Sequence, residues 1–148
     1  MRQAHRIVGV TLVIVFLLTG QYMEFRYGEW AGVDDALRMM YRSRHIYILM
    51  AGLINIAMGL HFAWRDKLWR KRLQAAGSAF MLIAPFALIA AFFYEPTAGV
   101  LQKSITTPAV VILFVGTLLH MIAGARQERD IASSEQPDSQ ESAKAVAS

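Results

Sequence analysis

The chain has 148 residues, of which 55% are apolar and only 18% are charged. Soluble domains contain about 45–50% apolar and about 25% charged residues, so the composition indicates a membrane protein, and the length indicates one domain. Cysteine is absent, which excludes disulfides, thiolate metal sites and thiol nucleophiles. The net charge of +4 does not indicate nucleic-acid binding, because the basic residues cluster beside apolar segments.

Four apolar segments are long enough to cross a membrane. A spanning helix needs about 20 apolar residues, with a range of about 17–25, and only helices satisfy the backbone within such continuous runs. The segments are 7–23, 46–64, 73–94 and 105–125. We predict an all-α integral membrane protein with a four-helix transmembrane bundle over residues 1–130. The polar tail 131–148 is expected to be a disordered cytoplasmic segment.

Basic residues predict how the four spans are oriented. Lys and Arg concentrate before the first span, between the second and third, and after the fourth, at Arg2, Arg6, Arg65, Lys67, Arg70, Lys71, Arg72, Arg126 and Arg129. The positive-inside rule then places both termini in the cytoplasm, N-in/C-in, and we expect a bacterial inner (plasma) membrane. The first span exceeds the about 7–15 apolar residues of a signal peptide, so we expect a retained anchor.

The segment before the second span has the pattern of an amphipathic helix. Apolar side chains recur at helical spacing at Val33, Ala36, Leu37, Met40 and Tyr41. Asp34 and Asp35 open the segment, where carboxylates favour a helix N-terminus, and Asp34 precedes Arg38 at the spacing of a helical ion pair. We predict one long helix from about Asp34 to Trp64 that extends outside the membrane.

His120 is the leading candidate for a cofactor ligand. It lies inside the fourth span, and Gly116 and Gly124 at i−4 and i+4 would leave room for a flat macrocycle. His5, followed by Gly9 at i+4, is the candidate second ligand of a b-type haem. The alternative is that His120 hydrogen-bonds across the bundle while the glycines let helices approach.

Depth separates the two proposed ligands. His5 precedes its span and His120 lies inside one, an offset of about 10 Å at 1.5 Å per residue. Either the first helix extends inward, or His61 is the partner. His61, however, falls opposite the small-and-polar face of the second span, which carries His45, Gly52, Asn55, Gly59 and Ala63.

Two further polar features could carry function. An outer polar cluster could bind an anionic headgroup, a quinone oxygen or a partner's carboxylate, or form a solvated collar of ion pairs. It comprises Glu24, Arg42, Arg44, His45 and Glu95. Asn55, in the middle of the second span, either bonds across helices or lines the path of a small transporter. Pro85 should kink the third helix and release a carbonyl.

The sequence His5-Arg6-Ile7-Val8-Gly9-Val10 resembles the His-Arg-x-x-Gly start of the first helix in succinate dehydrogenase cytochrome b subunits. In that family the motif lies beside quinone and haem, so the resemblance implies a haem or quinone site. It covers six residues and departs from the family at two positions. Arg2 replaces a serine, and Arg38 stands where the haem-ligating histidine of the second span would align.

The absence of reactive motifs favours a non-catalytic role. The chain has no nucleophile elbow, zincin motif, phosphate-binding loop or paired metal-ligand spacing. The leading interpretation is a protein that acts through helix packing with partner membrane proteins, a second copy or lipids of the bilayer. The alternatives are a redox module linked to haem b or quinone, centred on His120, and a small transporter.

Overall fold

The described part of the chain is helical. The computed structural model describes residues 1–28, 32–61, 68–97 and 104–123. These ranges contain α1 (Arg2–Tyr27), α2 (Asp35–His61), α3 (Leu68–Thr97) and α4 (Thr106–Ala123). Each of the four is long and apolar enough to cross a membrane. The prediction of an all-α chain with four candidate spans is therefore confirmed, whereas Trp64, Gly124 and the tail 131–148 lie outside the described residues.

The helix ends follow from local capping. Gly28 ends α1 with a positive φ of 53°, and its amide donates to the carbonyl of Glu24 at 2.7 Å. At the start of α2, the Asp34 carboxylate accepts from the amide of Ala36 at 3.2 Å. The predicted Asp34–Arg38 ion pair is wrong, because Arg38 pairs with Asp35 at 3.3 Å while Asp34 caps the helix.

Two antiparallel hairpins, α1–α2 and α3–α4, are each joined by a close glycine contact. A Cβ atom on Gly9 would lie 2.7 Å from the backbone nitrogen of Ile56 in α2. A Cβ atom on Gly77 would lie 2.8 Å from the carbonyl oxygen of Gly116 in α4. Real Cβ atoms are not found so close to backbone, so these glycines permit helix contacts that alanine would block.

An apolar layer separates two polar ends of the bundle. Its members are buried side chains of all four helices and include Leu12, Ile48, Met81, Leu88 and Leu113. One end holds His5, Asn55, Ser78 and His120, and we call it the His5 end. The other holds Arg44, Glu95 and Thr106, and we call it the Glu95 end. Apolar side chains also cover much of the exterior, as on α1 at Ile7, Val10, Ile14, Leu17 and Leu18.

Candidate functional site

At the His5 end, Asn55 connects three helices. Its Nδ2 group donates to the carbonyl of Ala51 at 2.9 Å and to that of Met81 in α3 at 3.1 Å. With both amide hydrogens in use, the Oδ1 atom is the acceptor that lies 2.7 Å from Nδ1 of His5. His5 therefore carries a hydrogen on Nδ1 and donates it to Asn55.

The Met81 carbonyl needs this partner because of Pro85. A proline lacks the amide that would bond the carbonyl four residues earlier, and in α3 that carbonyl belongs to Met81. The Asn55 side chain replaces the missing donor. The carbonyl that the sequence predicts Pro85 to release is thus the atom that Asn55 binds across helices.

His120 bonds to the neighbouring helix α3. Its Nε2 atom lies 2.9 Å from the hydroxyl oxygen of Ser78, and the ring also hydrogen-bonds to the backbone of Gln74. The ring packs against Gly77, where a Cβ atom would lie 3.0 Å from Cδ2 of His120. Several contacts therefore hold the imidazole on α3.

His5 and His120 meet at the same depth of the bundle. Their ring centroids lie 6.3 Å apart with an angle of 85° between the planes, and both side chains are buried. Of the two alternatives, the inward extension of the first helix is the one observed: α1 begins at Arg2 and carries His5 within the helix, so the expected offset in depth is absent. Arg6, the next residue of α1, donates from Nε to the carbonyl of Gly59 in α2 at 2.9 Å.

The arrangement does not fit a haem. Two of the three glycine positions that suggested space for a macrocycle are filled, since a Cβ atom on Gly116 would lie 2.8 Å from the Gly77 carbonyl and one on Gly9 would lie 2.9 Å from the Gly52 carbonyl. Gly124 lies outside the described residues. Nε2 of His120 bonds to Ser78. No group of three or more His, Asp or Glu side chains that could hold a metal ion occurs within the described ranges.

The third histidine proposed for a cofactor lies away from this pair. His61 is exposed, and its Nδ1 bonds the Ala57 carbonyl of its own helix at 3.0 Å. The structure therefore does not place His61 beside His120.

At the Glu95 end, the structure brings Arg44 and Glu95 together in a buried ion pair. The side chains are 0% and 3% exposed, and Nε of Arg44 donates to Oε2 of Glu95 at 2.6 Å. The other carboxylate oxygen accepts from the amides of Ile105 at 2.6 Å and Thr106 at 3.0 Å. The Thr106 hydroxyl donates to Oε2. Glu95 thus caps the N-terminus of α4, where a negative charge is favourable.

The other members of the outer polar cluster lie apart from this pair. Glu24 and Arg42 are exposed. His45 faces α1, where its ring stacks on Phe16 at 4.0 Å and its Nδ1 lies 2.9 Å from the Thr19 hydroxyl. Arg44 is already neutralised by Glu95 and is 0% exposed, so the cluster does not form one anion-binding surface.

Sequence reasoning missed three hydroxyl groups. Ser78, Thr19 and Thr106 each bond a histidine or carboxylate from another helix or from a helix end. The available signal in the sequence was the position of these residues around their helices, relative to the faces that carry small residues. Hydroxyl groups are common in helices for local reasons, so that signal alone does not identify their partners.

Two apolar grooves open on the outside of the bundle. One lies between α2 and α4, has a volume of about 570 Å³, and is lined by residues that include Met50, Ile54, Phe114 and Thr117. The second lies between α1 and α3 beside Pro85, with about 250 Å³. Neither is lined by His5, Asn55 or His120, so the polar groups of the His5 end do not face these openings.

Comparison with protein-family models, with curated proteins and with solved structures gives no match for this chain. The class of the protein therefore rests on its own sequence and geometry. These define a helical bundle with four helices that are long and apolar enough to cross a membrane.

Proposed function

We propose that this chain is a non-catalytic integral membrane protein that packs its outer apolar faces against other membrane proteins. One observation carries the proposal: polar side chains at the two ends of the interior bond one another or the backbone, while apolar side chains cover much of the exterior. Asn55, His5 and His120 engage helices inside the bundle, and Arg44 engages Glu95. The groups that could do chemistry are used to hold the helices together.

The groove between α2 and α4 is the best position for a partner helix. Its lining is almost entirely apolar, and it lies beside the outward face of α4 that carries Val111, Phe114, Leu118, Met121 and Ile122. In a bilayer, helices associate through packing into such surfaces rather than through a hydrophobic driving force.

The distribution of charge supports an N-in/C-in orientation in a bacterial inner membrane. The His5 end carries Arg2, Arg6, Arg70, Lys71 and Arg72, whereas the carboxylates within the described ranges lie at the Glu95 end. An excess of Lys and Arg marks the cytoplasmic side.

A transporter is less well supported by the geometry. Asn55, the proposed path residue, is 0% exposed and makes hydrogen bonds through both its amide nitrogen and its oxygen. The apolar layer containing Ile48 and Leu88 separates it from the Glu95 end.

Membrane insertion and orientation can be tested with single cysteines, because the chain has none of its own. Gln3→Cys marks the His5 end and Asp35→Cys the Glu95 end, and both positions are exposed. We expect a membrane-impermeant maleimide to label Asp35→Cys in intact spheroplasts and Gln3→Cys only after permeabilisation. The reverse pattern would contradict the orientation, and release of the protein by carbonate would contradict insertion.

Partner packing can be tested by photo-crosslinking in the native membrane. A photoreactive amino acid replaces Val111 in the groove, and the matched control replaces Ile83, which is also exposed but lies on α3. We expect a discrete protein adduct from position 111 and none from position 83. Mass spectrometry then identifies the crosslinked protein as another copy of this chain or as a different membrane protein. Reconstitution of the two purified proteins must then reproduce the adduct. Lipid adducts alone at both positions would contradict the proposal.

A further inference from the structure

The contact between His5 and His120 joins the two helix hairpins of the bundle. His5 belongs to α1, which packs closely on α2 at Gly9, and His120 belongs to α4, which packs closely on α3 through Gly77. The rings meet edge to face at 6.3 Å. At this end of the bundle, Asn55 supplies a second bond between the hairpins through the Met81 carbonyl.

Neutral imidazoles satisfy the hydrogen bonds that both rings make. His5 donates its Nδ1 hydrogen to Asn55, and Nε2 of His120 shares a hydrogen bond with the Ser78 hydroxyl. The side chains are 0% and 8% exposed. A proton added to either ring would place a positive charge in a buried site beside a second imidazole, and a proton on each would place two like charges there.

Within the described ranges, the charged groups at this end of the bundle are positive. The Met1 amino group acts on His5, and Arg2, Arg6 and Arg70 lie near the same ends of α1 and α3. The groups that face the rings from α2 and α3 include the neutral Asn55, Gln74 and Ser78, and His61 of α2 is exposed at this end. A proton on the histidine pair therefore adds to an existing positive field.

We propose that the His5–His120 contact is a pH-sensitive latch between the hairpins. The latch is closed while both rings are neutral, and acidification that protonates them releases it by charge repulsion between α1 and α4. The Glu95 end stays joined, because Arg44 of α2 and Thr106 of α4 both bond Glu95 of α3. At the His5 end α1 then separates from α4, while the bond of Asn55 to the Met81 carbonyl still joins α2 to α3. This inference goes beyond the proposed partner packing and does not depend on it.

Spin-label distances in the full chain test the latch directly. In lipid nanodiscs, one double variant places labels at Ile7→Cys and Met121→Cys, exposed positions beside the two histidines. The reference variant places labels at Leu18→Cys and Val111→Cys, exposed positions towards the other end. Between about pH 8 and about pH 4, a range that covers protonation of both exposed and buried histidines, we expect the first distance distribution to shift to longer values. The reference distribution should not change.

Substitutions of the histidines separate the latch from other effects of acid. His5→Asn together with His120→Gln keeps a polar atom near each bonded nitrogen but cannot be protonated, and we expect it to abolish the shift. His61→Gln is the matched control and should leave the shift intact. An unchanged first distance in the native background, a shift that survives the double substitution, or equal shifts at both ends would each overturn the proposal.

A measurement on the unsubstituted histidines covers the case in which the double substitution does not fold. Imidazole ¹⁵N chemical shifts of the otherwise native chain report ring protonation. The midpoint of the distance change must coincide with protonation of His5 or His120. A midpoint that matches neither ring would overturn the latch.

Discussion

Asn55 shows how one amide can hold several helices together. It accepts from His5 of α1 and donates to the Met81 carbonyl of α3, which Pro85 leaves without its usual backbone donor. A buried polar group that loses its partner is destabilising by about 1–3 kcal/mol. Asn55 therefore stabilises the bundle by supplying hydrogen-bond partners to buried groups of α1 and α3.

The link between Asn55 and Pro85 can be measured by a double-mutant cycle. Asn55→Leu should lower the free energy of unfolding by about 1–3 kcal/mol for each buried group left unsatisfied. Pro85→Ala restores a backbone amide that can bond the Met81 carbonyl, so it should offset part of the loss. We expect a coupling of about 0.5–3 kcal/mol from unfolding in mixed micelles. Strictly additive effects would show that Asn55 does not hydrogen-bond to the Met81 carbonyl.

The buried pair of Arg44 and Glu95 gives a second prediction for single residues. Arg44→Ala leaves an uncompensated carboxylate in a buried site, which should cost about 3–5 kcal/mol of stability. Arg42→Ala is the matched control, because Arg42 is exposed two residues away and its loss should change stability by no more than about 0.5 kcal/mol. Chemical unfolding of both purified variants gives the comparison. Equal effects of the two substitutions would contradict the internal role of Arg44.

At the scale of elements, the contact between α3 and α4 depends on small residues. Gly77 and Gly116 face each other so closely that a Cβ atom on either would lie 2.8 Å from the other's carbonyl oxygen. The beginning of α4 depends on α3 in another way, since Glu95 binds the amides of Ile105 and Thr106. One hairpin is therefore held by close packing along its length and by a carboxylate cap at its end.

Gly116→Ala tests the close packing of this hairpin. The added methyl group should push α3 and α4 apart and lower stability by about 1–3 kcal/mol, the usual range for overpacking. Gly20→Ala is the control, because its Cβ atom would meet only the His45 side chain, at 3.3 Å. Thermal unfolding followed by circular dichroism checks both variants. A Gly116→Ala protein as stable as Gly20→Ala would show that the helices are not in close contact there.

At the scale of the whole molecule, polar groups lie inside and at the two ends, and apolar groups cover much of the outside. Such a distribution suits a chain whose surroundings are lipid and other membrane helices. It also limits cofactor binding, because a macrocycle between α1 and α4 would have to displace the contacts of Ser78 and Gly77 with His120.

The contacts that fill the space around His120 predict that the protein has no haem spectrum. When the protein is expressed with haem in excess and purified in mild detergent, we expect no sharp α-band after dithionite reduction and no uptake of added hemin. The sequence interpretation with His120 as axial ligand predicts the opposite. A stoichiometric b-type spectrum that His120→Ala abolishes would show that α4 moves away from α3 to admit the group.

The sequence by itself determined the class of fold. Uninterrupted apolar segments of about 20 residues predict helices, because no other local structure satisfies their backbone, and the structure has one helix in each of the four segments. Helical periodicity also placed Asn55, Gly52 and Gly59 on one face of α2, and these residues are buried. The position of a residue around a helix depends only on its spacing from other residues of the same helix, and that spacing can be read from the sequence.

Only the tertiary structure decided which polar groups meet. Nothing in the sequence pairs Ser78 with His120, Asn55 with the Met81 carbonyl, or Glu95 with Thr106, since these contacts depend on helix depth, rotation and the order of packing. Gly116, four residues before His120, illustrates the difference. In the sequence it indicates empty space, and in the bundle the backbone of α3 fills that space, because a missing side chain favours helix contact as readily as it admits a ligand.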